Sequence, residues 1–235
     1  MAHITRLFVD HPLGAGQSVP LGRDEANRLF NVMRLAVGAE LRLINGRDGE
    51  WRARIAEAGK RAGRLWVEEQ TAPLRPPADL WLLFAPIKRD RTEFIVEKAT
   101  ELGVARILPV RTDYTQSDRL RHDKLMAHAI AAVEQCGATS LPEIGELTAL
   151  GALLETWPSE RQIMFCDETA KAGSLPDAPG PWAIIIGPEG GFSPKERERL
   201  RAMGQVISLG PRILRADTAA IAAITLWQAH LGDWR

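Results

Sequence analysis

From residue 80 onward the apolar positions fall into short continuous runs, separated by longer stretches with helical spacing. "LWLLFAP", "ARILPV", "RQIMFCD", "WAIIIGP" and "QVISLG" each predict a buried strand. Between them "DRTEFIVEKATELGV" is a helix stopped by Gly103, and "HDKLMAHAIAAVEQCG" and "LGALLETW" are two more. Further helices are predicted after Ser193 and around Thr218. Strands without polar alternation, separated by helices, predict a parallel sheet covered on both faces. Such sheets bind ligands beyond the carboxyl ends of their strands. The loops following "WAIII" and "QVISL" are therefore the places to look for a site.

The first 70 residues follow a different rhythm and predict a small β-rich domain with one helix. "LRLINGRDGEWRARI" reads as a hairpin: Leu41 to Asn45, a turn over Gly46-Arg47-Asp48-Gly49, then Glu50 to Ile55. Gly63 to Thr71 supplies another strand. In "DEANRLFNVMR", Ala26, Leu29, Phe30 and Met33 lie at i, i+3, i+4 and i+7, the apolar stripe of an amphipathic helix. Its other face carries Asn27, Asn31 and Arg34, flanked by Arg28. Amides and guanidiniums on one face suit phosphates and base edges, so Arg23, Arg28 and Arg34 are candidate RNA contacts.

Composition sharpens this division. "TAPLRPP", residues 71 to 77, has three prolines in seven positions and reads as a stiff linker between two domains, 1–72 and 78–235. The net charge of the chain is zero, but residues 1–77 hold 12 Lys+Arg against 9 Asp+Glu, and the remainder 18 against 21. No apolar run approaches the roughly 18 residues of a membrane span, and "MAHITRLFVDHPLG" lacks an export pattern. A cytoplasmic protein is expected. Cys136 and Cys166 are isolated and read as two buried free thiols. The histidines form no HExxH or similar cluster, so no metal is expected.

The chemistry concentrates in "IIIGPEGGFSPKE", residues 184–196. Gly187, Gly190 and Gly191 permit close backbone approach to a ligand. Ser193, Pro194 and Glu196 form the capping box of a following helix. Glycine loops between strand and helix usually cradle phosphate, but the Gly-Lys-Ser/Thr of a phosphate-binding loop is missing and there is no GxGxxG. Glu189 would repel a polyphosphate and favour a cation, which fits the sulfonium of S-adenosylmethionine. One helix and one strand later, "SLGPRILRADTAAIAAI" turns off its strand at Gly210-Pro211. Arg212 and Arg215 bracket Ile213-Leu214, and Asp217 or Thr218 is expected to cap a helix rich in alanine.

This pair of loops, together with "EKATELGV" (97–104) and "AVEQCG" (132–137), resembles the RsmE family. These are 16S ribosomal RNA uracil-N3 methyltransferases of the SPOUT superfamily. The resemblance extends over nearly the whole chain, including "LFV…AGQSVPL" and "VMRLAVGAEL…NGRDGEW". It implies a PUA-like RNA-binding β-barrel followed by a SPOUT-type α/β domain, a parallel sheet closed by a C-terminal trefoil knot. It also implies a homodimer acting on 16S rRNA of the small ribosomal subunit. Carried onto matching positions, Gly187, Glu189, Gly190 and Gly191 would form one wall of an S-adenosylmethionine site. Leu209, Gly210, Ile213 and Leu214 would form the other, with Thr218 beside them. The chain departs from the family's pattern in three places. Asp217 stands where glutamate is usual, Ala138 where an arginine commonly follows the EQC motif, and Asn27-Arg28 where two histidines are frequent.

Methylating N3 of uracil requires an unpaired or flipped base, because N3 lies on the Watson–Crick edge. The N3 proton must leave, and the resulting anion spreads over O2 and O4. Arg215 is the candidate for stabilising that anion, with Glu189 or Asp217 as proton acceptors. Two other functions remain open on sequence alone. One is an RNA-binding module without catalysis; the other is a SPOUT methyltransferase acting on tRNA or on a ribose 2′-hydroxyl.

Overall fold

The structure is a computed structural model and describes residues 4–117, 119–170, 173 and 175–234. The chain divides into two units, Met1–Pro76 with Val133–Leu141, and Pro77–Ala132 with Pro142–Arg235. The return of residues 133–141 to the first unit was not visible in the linear pattern. It rests on specific polar contacts. The Glu134 carboxylate accepts the Phe8 amide at 2.9 Å, and the Arg75 amide donates to Thr139 Oγ1 at 2.8 Å.

The first unit is a five-stranded sheet in the order β1-β3-β4-β5-β2. Its strands are β1 (Arg6–Phe8), β2 (Ser18–Leu21), β3 (Glu40–Ile44), β4 (Glu50–Ala58) and β5 (Gly63–Ala72). β1 and β3 are parallel; the remaining pairs are antiparallel. Three register shifts between β4 and β5 bend the ladder. The expected hairpin is present, with Ile44 opposite Glu50. Gly49 is required there: φ is +83° and a Cβ would lie 2.3 Å from the Ala72 carbonyl. The core gathers Leu7, Val19, Leu29, Leu41, Leu43, Leu65 and Val67.

The helix of this unit departs from the predicted one. A single α-turn, α1 (Arg23–Ala26), widens into a π-helical segment over Asn27–Val32. The Met33 amide donates to the Arg28 carbonyl, five residues back. A wider turn advances each residue by less than 100°, so the i, i+7 alignment fails. Ala26 and Leu29 are buried as expected, whereas Met33 is exposed. Arg34 ends the segment at φ +57°.

The second unit is an α/β layer structure. Its strands are β6 (Leu80–Phe84), β7 (Arg106–Arg111), β8 (Glu143–Ile144), β9 (Thr148–Ala149), β10 (Gln162–Cys166), β11 (Trp182–Ile186) and β12 (Gln205–Ile207). The helices are α2 (Arg89–Glu101), α3 (His122–Cys136, whose last turn belongs to the first unit), α4 (Leu150–Glu155), α5 (Pro194–Met203) and α6 (Ala216–His230). The order is β12-β10-β11-β6-β7-β8, with β9 beside β7, and all these pairs are parallel. β11 lies in the slot between β10 and β6, so the chain leaves that place open and fills it later. Gly103 ends α2 in a Schellman turn at φ +74°, with Val104 N–H on the Ala99 carbonyl and Gly103 N–H on that of Thr100. β8 and β9, two residues each, are too short to leave a hydrophobic period.

Candidate active site

Parallel strands end on the same edge, so the carboxyl ends of β12, β10 and β11 form three adjacent lips. Between them is a cavity of about 420 Å³. One wall is the loop after β11, including Gly187, Glu189, Gly190 and Gly191. The facing wall is the loop after β12, including Leu209, Gly210, Ile213, Leu214 and Arg215. The structure thus brings together eight of the nine cofactor candidates and two of the three catalytic ones. Thr218 does not line the cavity. Cys166, Asp167 and Glu168, at the end of the middle strand β10, complete it. They were not legible in advance, because "FCDET" carries no glycine and no loop signature. The strand-end rule applied to β10 would have found them.

The glycine loop is held from behind as well as shaped for a ligand. The Gly191 amide closes a turn onto the Pro188 carbonyl at 2.9 Å, with φ +69° at Gly191. The capping box of α5 is complete: Glu196 N–H donates to Ser193 Oγ, and Ser193 N–H donates to the Glu196 carboxylate at 3.0 Å. Gly187 has its own constraint, since a Cβ there would lie 2.8 Å from the ring of Phe192. That ring is buried edge-on against Phe165, centroids 5.2 Å apart. A Cβ at Gly190 would meet Tyr114 at 3.4 Å, an ordinary contact. Glu189 is exposed, and its carboxylate takes no hydrogen bond among the described residues.

Behind the floor sits Asp167, whose side chain is 0 % exposed. Its carboxylate accepts from both Arg197 and Arg201, the latter at 2.7 and 2.9 Å, and from the Thr169 amide and hydroxyl at 3.0 and 2.8 Å. Burial alone would raise its pKa. The Thr169 hydrogen bonds, then Arg201 and Arg197, outweigh that and hold it below the ordinary aspartate value. Arg197 also reaches Glu168 at 2.7 Å and the Phe192 carbonyl at 3.3 Å, so it ties the end of β10 to the glycine loop. Burial pushes the Cys166 thiol up to about 12, which makes it a neutral lining group. The expectation of two buried thiols does not hold: Cys136 is exposed and Cys166 is half-buried at the cavity wall.

The second loop differs from expectation at the start of α6. The helix begins at Ala216 with Arg215 as N-cap and no side-chain cap, so neither Asp217 nor Thr218 caps it. Asp217 is buried and ion-paired to Arg91 at 2.8 Å, outside the cavity; Thr218 faces solvent. The shorter aspartate is thus turned into a brace between α6 and α2, helped by Gln228 Nε2 on the Leu102 carbonyl at 2.6 Å. Ala216, Ala220 and Ala223 are buried, which accounts for the small residues by close packing. Arg215 is exposed and lines the cavity, and its guanidinium has no hydrogen-bond or ion-pair partner among the described residues.

In the first unit, Arg23 shares a polar cleft of about 410 Å³ with Asp24, Asn27, Lys60 and Arg61. Arg34 is exposed. Arg28 is committed elsewhere, since its guanidinium is bidentate to the buried Glu134 carboxylate at 2.5 and 3.1 Å. The Arg28 side chain remains 47 % exposed beside that pair. Among the described residues no group of three or more His, Cys, Asp or Glu could hold a metal ion.

Two family models match this chain: an RNA methyltransferase domain over residues 74–228 and an RNA methyltransferase PUA domain over residues 21–65. The ribosomal RNA small subunit methyltransferase E of Rickettsia conorii is 32 % identical to it over 93 % of both chains. The chain belongs to the RsmE family. The RsmE protein of Buchnera aphidicola (Schizaphis graminum) is 30 % identical over 98 % of both chains. Two similar structures were solved with S-adenosylmethionine bound. The RsmE enzyme of Neisseria gonorrhoeae is 28 % identical with a TM-score of 0.88, covering 99 % of this chain and 100 % of that one. A methyltransferase of Legionella pneumophila is 30 % identical with a TM-score of 0.89 and the same coverage. An RsmE fold, with a PUA-like first unit and an α/β methyltransferase unit, is what the sequence predicted.

Proposed function

We propose that this RsmE chain is an S-adenosylmethionine-dependent methyltransferase that modifies N3 of one uridine in 16S rRNA of the small ribosomal subunit. One observation supports it most: the cavity between the two strand-end loops has the chemistry of that cofactor. Its volume lies in the range of small-molecule sites. Ile186, Ile207, Leu209, Ile213 and Leu214 offer an apolar bed for adenine. Glu189 is the lining carboxylate with no hydrogen-bond partner among the described residues, which suits a sulfonium; Asp167 and Glu168 are paired with Arg197 and Arg201, and Arg212 and Arg215 are the cations of the lining. Relatives of nearly full-length similarity hold S-adenosylmethionine. When bound, the cofactor supplies the methyl group.

The rest falls to this chain's side chains. Arg215, exposed and unpaired among the described residues at the cavity, stabilises the uracil anion as the N3 proton leaves. Glu189, with a free carboxylate, is the better placed proton acceptor; the pairing of Asp217 with Arg91 assigns it a bracing role. Positioning N3 in line with methyl carbon and sulfur supplies much of the rate. We further propose residues 1–72 as the RNA-binding domain and 78–235 as the catalytic one. The insertion of β11 between β6 and β10 supports the family's trefoil knot. Ile213, 85 % exposed beside the cofactor cavity, supports a homodimer whose partner covers that rim. The proposed ribosomal substrate supports a cytoplasmic location; no described helix is long and apolar enough to cross a membrane.

The test has two arms. Calorimetry with S-adenosylhomocysteine in the presence of EDTA should show binding. Labelled methyl should then pass from S-adenosylmethionine to small-subunit rRNA from cells lacking this gene. No cofactor binding would leave only an RNA-binding module and reject the enzyme, whereas binding without transfer to small-subunit rRNA would reject this substrate.

A further inference from the structure

Tyr114 is the only tyrosine in the chain, and it is 46 % exposed. It sits in the turn after β7, and its Cβ lies where a Gly190 side chain would make contact, at 3.4 Å. The glycine loop therefore has the cofactor cavity on one side and Tyr114 on the other. Tyr114 lines a separate open groove of about 580 Å³ with Phe192, Pro194, Arg197, Glu198 and Arg201.

The backbone that carries this ring is held in an ordered turn. The Thr112 amide donates to Thr115 Oγ1 at 2.8 Å, and the Thr115 amide closes onto the Thr112 carbonyl at 3.2 Å. The next residue, Asp113, is joined to the capping box of α5. Its amide donates to the Glu196 carboxylate at 2.9 Å, and its own carboxylate accepts from Ser193 Oγ. The residues that start α5 thus also fix the turn carrying Tyr114. Tyr114 lies against Gly190 on one side and leaves 46 % of its surface open to solvent. Beside it, Arg201 is 47 % exposed at the side chain even though it is paired with Asp167.

We infer that this groove seats a nucleotide flanking the target uridine, with its base stacked on Tyr114 and its phosphate beside Arg201. The inference rests on the proposed RNA methyltransferase activity and adds a subsite to it. An unpaired base offers an apolar face and a charged backbone, which matches a groove with an aromatic wall, an apolar floor of Phe192 and Pro194, and the half-exposed Arg201 guanidinium, with Glu198 the one carboxylate in the lining. The glycine loop separates groove and cavity, so the occupant is a neighbour of the reacting base and not that base itself. A stacked neighbour holds the strand in the splayed conformation that exposes N3.

The experiment compares Tyr114→Ala, Tyr114→Phe and Tyr114→Trp with the unaltered full chain. RNA affinity is measured by filter binding to small-subunit rRNA across a salt series, alongside calorimetry with S-adenosylhomocysteine. Tyr114→Ala should weaken RNA binding roughly 5- to 150-fold, the range for removing one base stack. The slope of log affinity against log salt should stay the same, because stacking releases no counterion. Phe and Trp should restore affinity to within about threefold. Two results would overturn the inference: RNA affinity unchanged in Tyr114→Ala, or an equal loss of S-adenosylhomocysteine binding, which would make Tyr114 a mere support for the loop. If the unaltered protein methylates no RNA, the functional proposal itself fails, and that result is read separately.

Discussion

Asp167 keeps a charged carboxylate inside the protein because two arginines and Thr169 satisfy its oxygens. Its folded pKa lies below the roughly 3.9 of an unfolded aspartate. The stabilisation is therefore complete above about pH 4 and is lost as pH falls through the lower folded value. Asp167→Asn should lower the urea midpoint at neutral pH and flatten its decline in acid. An acid limb as steep as in the parent would mean that another group controls it. At Arg215 the expected effect is on rate. Arg215→Ala should slow single-turnover methyl transfer about 100-fold at saturating RNA, the scale of removing one oxyanion donor. Asp217→Asn should leave the pH dependence of the rate in place, because its buried carboxylate is paired with Arg91 and lies outside the cavity lining. A pH–rate profile that loses its rising limb in that variant would restore Asp217 as a base.

Elements explain which parts of this site were legible. The glycine loop and the capping box of α5 were readable because each residue has a local reason to be there: β-branched residues end a strand, glycines turn, and Ser193-Pro194-Glu196 starts a helix. Asp217 was misassigned as a cap for the same kind of reason. Local rules favour aspartate at a helix start, whereas its partner Arg91 is 126 residues away and invisible to them. The π-helical widening over Asn27–Val32 likewise leaves no mark in an apolar period, so Met33 was placed on the wrong face. The glycines themselves can now be ranked. Gly191→Ala forces a left-handed φ and brings a Cβ to 2.6 Å from Glu168 Oε1, so S-adenosylhomocysteine affinity should fall tenfold or more. Gly190→Ala meets only ordinary contact with Tyr114 and should stay within about threefold. Calorimetry giving the reverse order would show that ligand approach, and not backbone conformation, sets the glycine requirement.

For the whole molecule, the account divides the work between an RNA-gripping first unit and a catalytic second one. Among the described residues the Arg23 and Arg34 side chains have no hydrogen-bond or ion-pair partner, and both are exposed. Replacing both with Ala should reduce the salt slope of RNA binding by about 0.7 to 0.9 for each phosphate left without its arginine. Arg28→Ala should act differently. It strips the buried Glu134 of its ion-pair partner, and the melting temperature should fall more than the salt slope. The central claim is the chemical identity of the product. Small-subunit rRNA from cells lacking this protein should be incubated with the purified chain and S-adenosylmethionine, then digested and mapped by mass spectrometry. The account predicts one new methyl group, on N3 of a single uridine of 16S rRNA. A methyl found on a ribose 2′-hydroxyl, or only on tRNA, would contradict it.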